Sequence, residues 1–278
     1  MKASKPILIL CAAICCLTAC KKEVDMTLKQ KTLFENADIR DIEVVDAWPV
    51  QVVYDSVNTF VEVEYSAYLE NYLKINMDGS KLHVGFTGKV YAESGSVFKA
   101  TIHTSTIENI EVSDAATLAF EGTFMGDRLK VALDDASVCN GLVFSGEESE
   151  IKMEAASLMT GFQFVGENCT ATLEDASQFN GEIQASESVT IYLCDGSRFV
   201  NKGGLTQQAS LHLTDASLLN MAETQVNTME VELSGAAEAT VHVTDRISGI
   251  VTEASTLYYK GHPQLEVDCS DGSRLIPF

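Results

Sequence analysis

Positive charge is scarce in this chain: 19 Lys and Arg stand against 40 Asp and Glu, a formal net charge of −21 over 278 residues. A polyanion of this size repels phosphate backbones and acidic lipid headgroups, which excludes nucleic acid and anionic membrane surfaces as partners. Long apolar runs are missing too. Beyond residue 17 nothing approaches 18 uninterrupted apolar residues, so no membrane-spanning helix is expected. No 3.6-residue stripe marks a helix in the C-terminal two thirds, and the Leu-x-x-Leu-x-Leu ladder of leucine-rich repeats is absent. Cys139, Cys169, Cys194 and Cys269 include no Cys-x-x-Cys pair, and their spacing outlines neither a zinc site nor a disulfide framework.

What is present is a repeat. A four-residue motif occurs as Ser113-Asp114-Ala115-Ala116, Asp134-Asp135-Ala136-Ser137, Glu154-Ala155-Ala156-Ser157, Glu174-Asp175-Ala176-Ser177 and Cys194-Asp195-Gly196-Ser197. It continues as Thr214-Asp215-Ala216-Ser217, Ser234-Gly235-Ala236-Ala237, Thr252-Glu253-Ala254-Ser255 and Ser270-Asp271-Gly272-Ser273. Successive copies start 21 residues apart, then 20 five times, then 18 twice. Such a period marks a solenoid, whose units are each too small to bury their own apolar face. Before each motif runs an alternating pair of mostly apolar residues, from Ile110/Val112 through Val131/Leu133 and Leu211/Leu213 to Val267/Cys269. That is a period-two strand with one buried face. The motif supplies turn-forming residues for a tight corner. A second inward column follows it: Leu118, Cys139, Met159, Phe179, Phe199, Leu219, Ala239, Leu257 and Leu275. Residues 110–278 therefore read as an all-β parallel β-helix with coils of about 20 residues, and eight steps make a rod about 38 Å tall. Cys139 and Cys269 fall in inward columns and are expected as buried thiols.

The N-terminal residues are an address. Lys2 and Lys5 precede the apolar run 7–17 and then Leu17-Thr18-Ala19-Cys20. The run is too short to span a bilayer. Small residues ahead of this Cys resemble the lipobox of bacterial lipoproteins, which implies a signal peptide over 1–19 and a lipid on the Cys20 thiol. Cleavage there removes two lysines and takes the net charge from −21 to −23. Segment 20–36 reads as a lipidated tether, and its Lys21-Lys22-Glu23 start resembles the export tag of Bacteroidota surface lipoproteins. Asp55-Ser56-Val57 resembles the O-glycosylation motif of that phylum, with Ser56 as acceptor. The implied location is the outer membrane, on its surface or its periplasmic face.

Residues 37–109 are rich in strands without the clear repeat. Val50/Val52/Tyr54 and Val61/Val63/Tyr65 alternate, while Leu73/Ile75/Met77 and Leu82/Val84/Phe86 flank Asp78-Gly79-Ser80 as a hairpin. The role expected for this stretch is a cap over the unpaired strand edges at the solenoid's end, with the single Trp48 in its core. Glu93-Ser94-Gly95-Ser96 lies one period before the first motif, where a degenerate coil is expected.

Val231-Glu232-Leu233-Ser234-Gly235-Ala236-Ala237, the Leu73–Val84 hairpin and the closing Tyr259-Lys260-Gly261-His262-Pro263 together resemble the head GIN domain family of auto-transporter adhesins. The likeness spans roughly residues 37–278, as a strand-rich part over 37–109 and a β-helical part over 110–278. It implies a non-enzymatic, surface-exposed binding function. It brings no catalytic or ligand-binding residues. Most repeats here read Asp-Ala-Ser where the family has Ser-Gly-Ala-Gly, which makes one corner unusually acidic.

That corner carries the candidate chemistry. Asp175, Asp195 and Asp215 are consecutive, and like charges about 4.8 Å apart repel by about 0.9 kcal/mol per pair in water. Bound Ca²⁺ would relieve this as a cation ladder; hydrogen bonds to the corner backbone would do so without an ion. No other cofactor is indicated. The serines closing the motifs lack a positioned base, His212 lying on the outward side of its strand, so a hydrogen-bonded serine column is expected rather than a nucleophile. Asp134-Asp135, like Glu174-Asp175 an adjacent acidic pair at a corner, is read as having no Gly-His-Gly or Arg-x-Lys element to accompany it. Three functions follow: a lipid-anchored envelope protein that binds a glycan or another protein, a pectinase-like β-helix enzyme, and a structural spacer.

Overall fold

The computed structural model describes residues 24–278; Cys20 and the signal segment lie outside the described residues. Nine corners occur where the motifs stand. In each, the two central residues are left-handed, as in Asp114 and Ala115 with φ of 53° and 58°, or Asp215 and Ala216 with 51° and 57°. Two consecutive positive-φ residues make a type I′ turn. Asp tolerates that region because its short side chain bonds locally, and Ala is small enough for corners to stack. The fourth residue's N–H closes each turn on the first residue's carbonyl, as Ala116 does on Ser113 at 3.1 Å. The third residue's N–H points along the rod instead: Ala115 donates to Asp135 of the next coil at 2.8 Å.

Each coil turns through three strand faces. Face A holds the strand before the corner and face B the strand after it, paired coil to coil in parallel register: Val131 with Ile151, Cys139 with Met159. Face C was missed at the sequence level, although Phe124, Phe144 and Phe164 recur 20 residues apart and pair in register. The solenoid makes about eight turns of about 20 residues, as the period implies. Inside, Phe179 and Phe199 stack at 4.4 Å, and Leu219 lies over Phe199 in the ladder. Glycine is required where face C turns into face A at Gly146 and Gly166, although Ala185 takes the equivalent place one coil on. A Cβ on Gly146 would lie 2.1 Å from the Gly126 carbonyl oxygen, and one on Gly166 would meet Gly146 likewise.

The N-terminal part is woven in a different order from its sequence. Strands β1 (Leu28–Leu33), β2 (Asp41–Val44), β3 (Pro49–Tyr54), β4 (Phe60–Ser66), β5 (Leu73–Asp78), β6 (Lys81–Phe86), β7 (Phe98–Thr104), β8 (Asn109–Val112) and β9 (Thr117–Glu121) build it. β2 and β3 are a solenoid coil, stacked in parallel under β8 and β9. Its corner is Val45-Asp46-Ala47-Trp48, with Asp46 and Ala47 at φ of 60° and 57°. β6 and β7 form one more coil beneath it, and Glu93–Ser96 lies in its enlarged corner. The cap proper is antiparallel: β5 on β6 through the expected hairpin, then β4 on β7 and β1 on β4. One expectation changes here. Segment 20–36 is not all tether, because Leu28–Leu33 pairs with β4 as an edge strand. β3 and β4 do not form a hairpin, because β7 lies between them. Trp48 is fully buried as expected, packed against Phe86 at 5.1 Å and Phe98 at 5.5 Å.

Candidate binding face

The corner serines are interior. Ser137, Ser157, Ser177, Ser197, Ser217 and Ser255 are each at most 1% exposed. Their hydroxyls satisfy backbone more than one another: Ser177 donates to the Glu174 carbonyl at 2.7 Å and Ser197 to Cys194 at 2.6 Å. Only Ser157 and Ser177 join hydroxyl to hydroxyl, at 3.3 Å. Ser177 and Ser197 thus brace their own turns, Ser217 reaches back to the Leu193 carbonyl, Ser137 has no partner, and burial keeps substrate from the column.

Asp175, Asp195 and Asp215 stand exposed on successive corners. Among the described residues no three His, Cys, Asp or Glu side chains gather closely enough to hold a metal ion. Thr214 donates its hydroxyl to the Asp215 carboxylate at 2.9 Å, in place of the corner-backbone bond expected of these aspartates. Burial pushes the neighbouring Cys194 thiol up to about 12, with the carboxylates of Asp195, Glu174 and Asp215 adding to the rise. Burial does the same to Cys139 and Cys169, both at about 12. Such thiols stay protonated and inert. Cys269 departs from expectation: it is exposed, because its coil is the last and, among the described residues, no strand covers its outer edge. Ser56 sits exposed at the tip of an Asx turn, where the Asp55 carboxylate accepts N–H bonds from Val57 at 2.8 Å and Asn58 at 3.0 Å. Those backbone bonds, Asn58 first, hold the Asp55 carboxyl below the usual carboxylate range.

All three faces present outward side chains, and those of face A are the most varied in chemistry. Toward the N-terminal end it is laced with ion pairs. Lys81 joins Glu43 and Glu111, Arg128 joins Glu148 and Glu150, and Lys152 joins Glu154. Arg128-Leu129-Lys130 is an Arg-x-Lys run that sequence reasoning passed over. Lys130 also turns to Glu150, at 3.2 Å, so both basic groups are engaged in pairs. Further along, the outward positions lose their charge: Asn168, Thr170, Thr172, Ser188, Thr190, Tyr192, Gln208 and Ser210 follow in the ladder. Tyr192 is 42% exposed, and its ring lies parallel to His212 at 4.7 Å. His212 in turn bonds Ser210 at 3.2 Å and Glu232 at 3.1 Å.

Serine, histidine and glutamate stand here in the order of a nucleophilic relay. Ser210 is nevertheless paired on both sides, to Thr190 and to Glu230, so the strand N–H groups around it are committed to the sheet. An oxyanion needs donors free to meet it. The arrangement holds His212 flat against Tyr192 and stiffens the face.

A rigid β-solenoid whose accessible groups lie on an outer sheet, with its serines sealed inside, defines a class of surface-presenting rods. The family described as "putative auto-transporter adhesin, head GIN domain" matches residues 39–263, and the chain belongs to that family. The match ends at Pro263, the last residue of the closing Tyr-x-Gly-x-Pro element. Solved structures share the fold. An adhesin described as putative from Parabacteroides merdae is 14% identical with a TM-score of 0.66, over 92% of this chain and 98% of its own. One from Parabacteroides distasonis is 17% identical with a TM-score of 0.64, over 91% and 98%. A protein from the same species described as a putative lipid binding protein is 11% identical with a TM-score of 0.64, over 90% and 96%. No curated protein matches the sequence.

Proposed function

We propose that this protein is a lipid-anchored adhesin of a bacterial outer membrane, working by binding rather than catalysis. The observation that carries the reading is polarity of the rod. The chain enters at the capped end, where β1 lies on the cap's outer edge, so a lipid on Cys20 holds the cap toward the membrane and face A projects outward. Family membership supports an envelope or surface location, and no helix among the described residues is long and apolar enough to cross a membrane. The lipid-binding description of one neighbour finds less support here, because the interior is filled by stacked rings such as Phe179 and Phe199. The exposed Ser56 turn is a fitting acceptor for an O-linked glycan that would keep the membrane-proximal end solvated.

The test joins anchor and adhesion. Cells displaying the wild type should take up labelled fatty acid on the protein and adhere to a mucin-coated surface. Cys20→Ala should abolish the label and release the protein from the membrane fraction. Equal labelling of both would remove the anchor, and unchanged adherence after deletion of the whole chain would remove the adhesion role. Depolymerisation of pectin by the purified protein would favour the enzyme instead.

A further inference from the structure

The middle of face A contains an open groove of about 410 Å³ that crosses four coils. Its polar walls are Ser188, Thr190, Gln208, Ser210, Thr228 and Ser248, with the exposed carboxylate of Glu230 among them. Apart from Gln208 and Glu230 these side chains are short, and taller ones bound them: Tyr192 and His212 on one side, Arg246 toward the C-terminal end. The ladder spaces successive coils at about 4.8 Å, so hydrogen-bonding groups repeat along the groove at a fixed interval. Several are unspent. Ser188 donates to Asn168 at 2.6 Å and Ser210 bonds His212, but among the described residues Thr190, Gln208 and Ser248 have no side-chain partner.

We propose that this groove binds a short, uncharged, unbranched saccharide lying along the rod, an inference that rests on the adhesin reading above. Hydroxyls and an amide both donate and accept, which suits a ligand whose own hydroxyls do the same. The floor is pre-organised, with Ser210 paired in the ladder on both sides, so little ordering is required on binding. Charge decides the ligand's sign. The molecule as a whole repels polyanions, and Arg246, the cation at the groove's end, is already engaged by Glu266 at 3.6 Å. The Glu230 carboxylate repels an anion but accepts hydroxyl protons, so an uncharged ligand can bond it and leave the flanking ion pair of Arg246 hydrated. A protein strand is a poorer fit, because the coils forming the floor have no free edge here. A folded protein surface would find one exposed aromatic ring where such interfaces use clusters.

The experiment uses the purified full chain in affinity electrophoresis and calorimetry with linear glucan, xylan and mannan hexasaccharides, and with hexagalacturonate as the charged comparison. At least one uncharged hexasaccharide should bind, and Ser210→Tyr, which fills the groove from an outward strand position, should weaken it at least tenfold. Ser210→Ala should weaken it less, and both variants should melt as the wild type does. Binding of none of the uncharged oligomers, a preference for hexagalacturonate, or undiminished binding by a folded Ser210→Tyr protein would each overturn the groove. Full adherence to mucin by cells displaying Ser210→Tyr would also overturn it while leaving the adhesin reading standing. Loss of adherence only on deleting the chain would separate the two.

Discussion

A corner of this rod asks one thing of its residues, a pair of left-handed conformations, and most corners meet it without glycine in both places. Asp195 holds φ at 50° and Gly196 at 70°, while Asp175 and Ala176 hold 52° and 62°. For an L-residue this region costs roughly 1–2 kcal/mol, least for Asp and Asn, whose side chains bond locally. Turn chemistry is sufficient by itself to place an acid at these corners. Replacing Asp175, Asp195 and Asp215 together by Asn keeps the turns and removes the repulsion, so the melting temperature should hold or rise slightly. Asp195→Val should destabilise by about 1–2 kcal/mol, because a β-branched side chain cannot take that φ comfortably. Calorimetric titration with Ca²⁺ should show no heat that the triple Asn variant abolishes. Heat lost in that variant would make the three carboxylates ligands first and turn residues second.

Among the elements, the cap is where sequence and architecture part company. The β5–β6 hairpin was legible because Asp78-Gly79-Ser80 is local chemistry. The coil formed by β2 and β3 was hidden because Trp48 stands in the position that serine fills elsewhere, and because its neighbours β8 and β6 are distant in sequence. Strand order of that kind is decided by which edges remain free, which no local pattern records. Face C shows the opposite case, a signal present in Phe124, Phe144 and Phe164 and not read. Of the candidate site, the acidic corner and the serine column were legible as motifs. Groove residues such as Thr190, Ser210 and Ser248 carry no motif and meet only through the coil register. The outermost strand, β1, is held to β4 by its ladder and by two carboxylates: Glu64 accepts from Gln30 at 3.0 Å, and Glu70 accepts from Lys29 at 2.6 Å and Lys31 at 2.8 Å. Those bonds, Lys29 first, lower the Glu70 carboxyl from 4.5 to about 2. A depressed folded value stabilises above the unfolded pKa and is lost as pH falls through the folded one. Hydrogen exchange of β1 amides should therefore be slower in the wild type than in Glu70→Gln at pH 7. The difference should shrink between pH 4.5 and 2 and vanish below. A difference that stays undiminished from pH 4.5 to pH 2 would place the fastening elsewhere.

As a whole, the molecule is a one-dimensional stack: each coil meets only the coils on either side, and stability sums over coils and their interfaces. The two ends are unlike. The N-terminal end is closed by antiparallel strands, whereas in the last coil Leu265 is 41% and Phe278 61% exposed. The unit that can be added or removed is then a full coil in register. Leu173 pairs with Leu193, so deleting residues 174–193 joins Leu173 to Cys194 and returns every later inward residue to an inward position. Phe199 would then lie against Met159, its equivalent one coil earlier, instead of Phe179. The shortened protein should fold, keep a β-sheet circular dichroism spectrum and lose one coil's share of stability. Each kcal/mol lost lowers the melting temperature of a domain this size by roughly 2–4 °C. Deleting only residues 174–183 removes the same corner but half the coil. It sets the next corner opposite the middle of a strand, where two left-handed residues break the ladder, and it should yield insoluble or unfolded protein. If both deletions fold equally well, or neither does, stability does not propagate coil by coil. Adherence of cells displaying the 20-residue deletion then reads the groove at reduced length, because residues 188–193 are among those removed while Ser210, Thr228 and Ser248 remain.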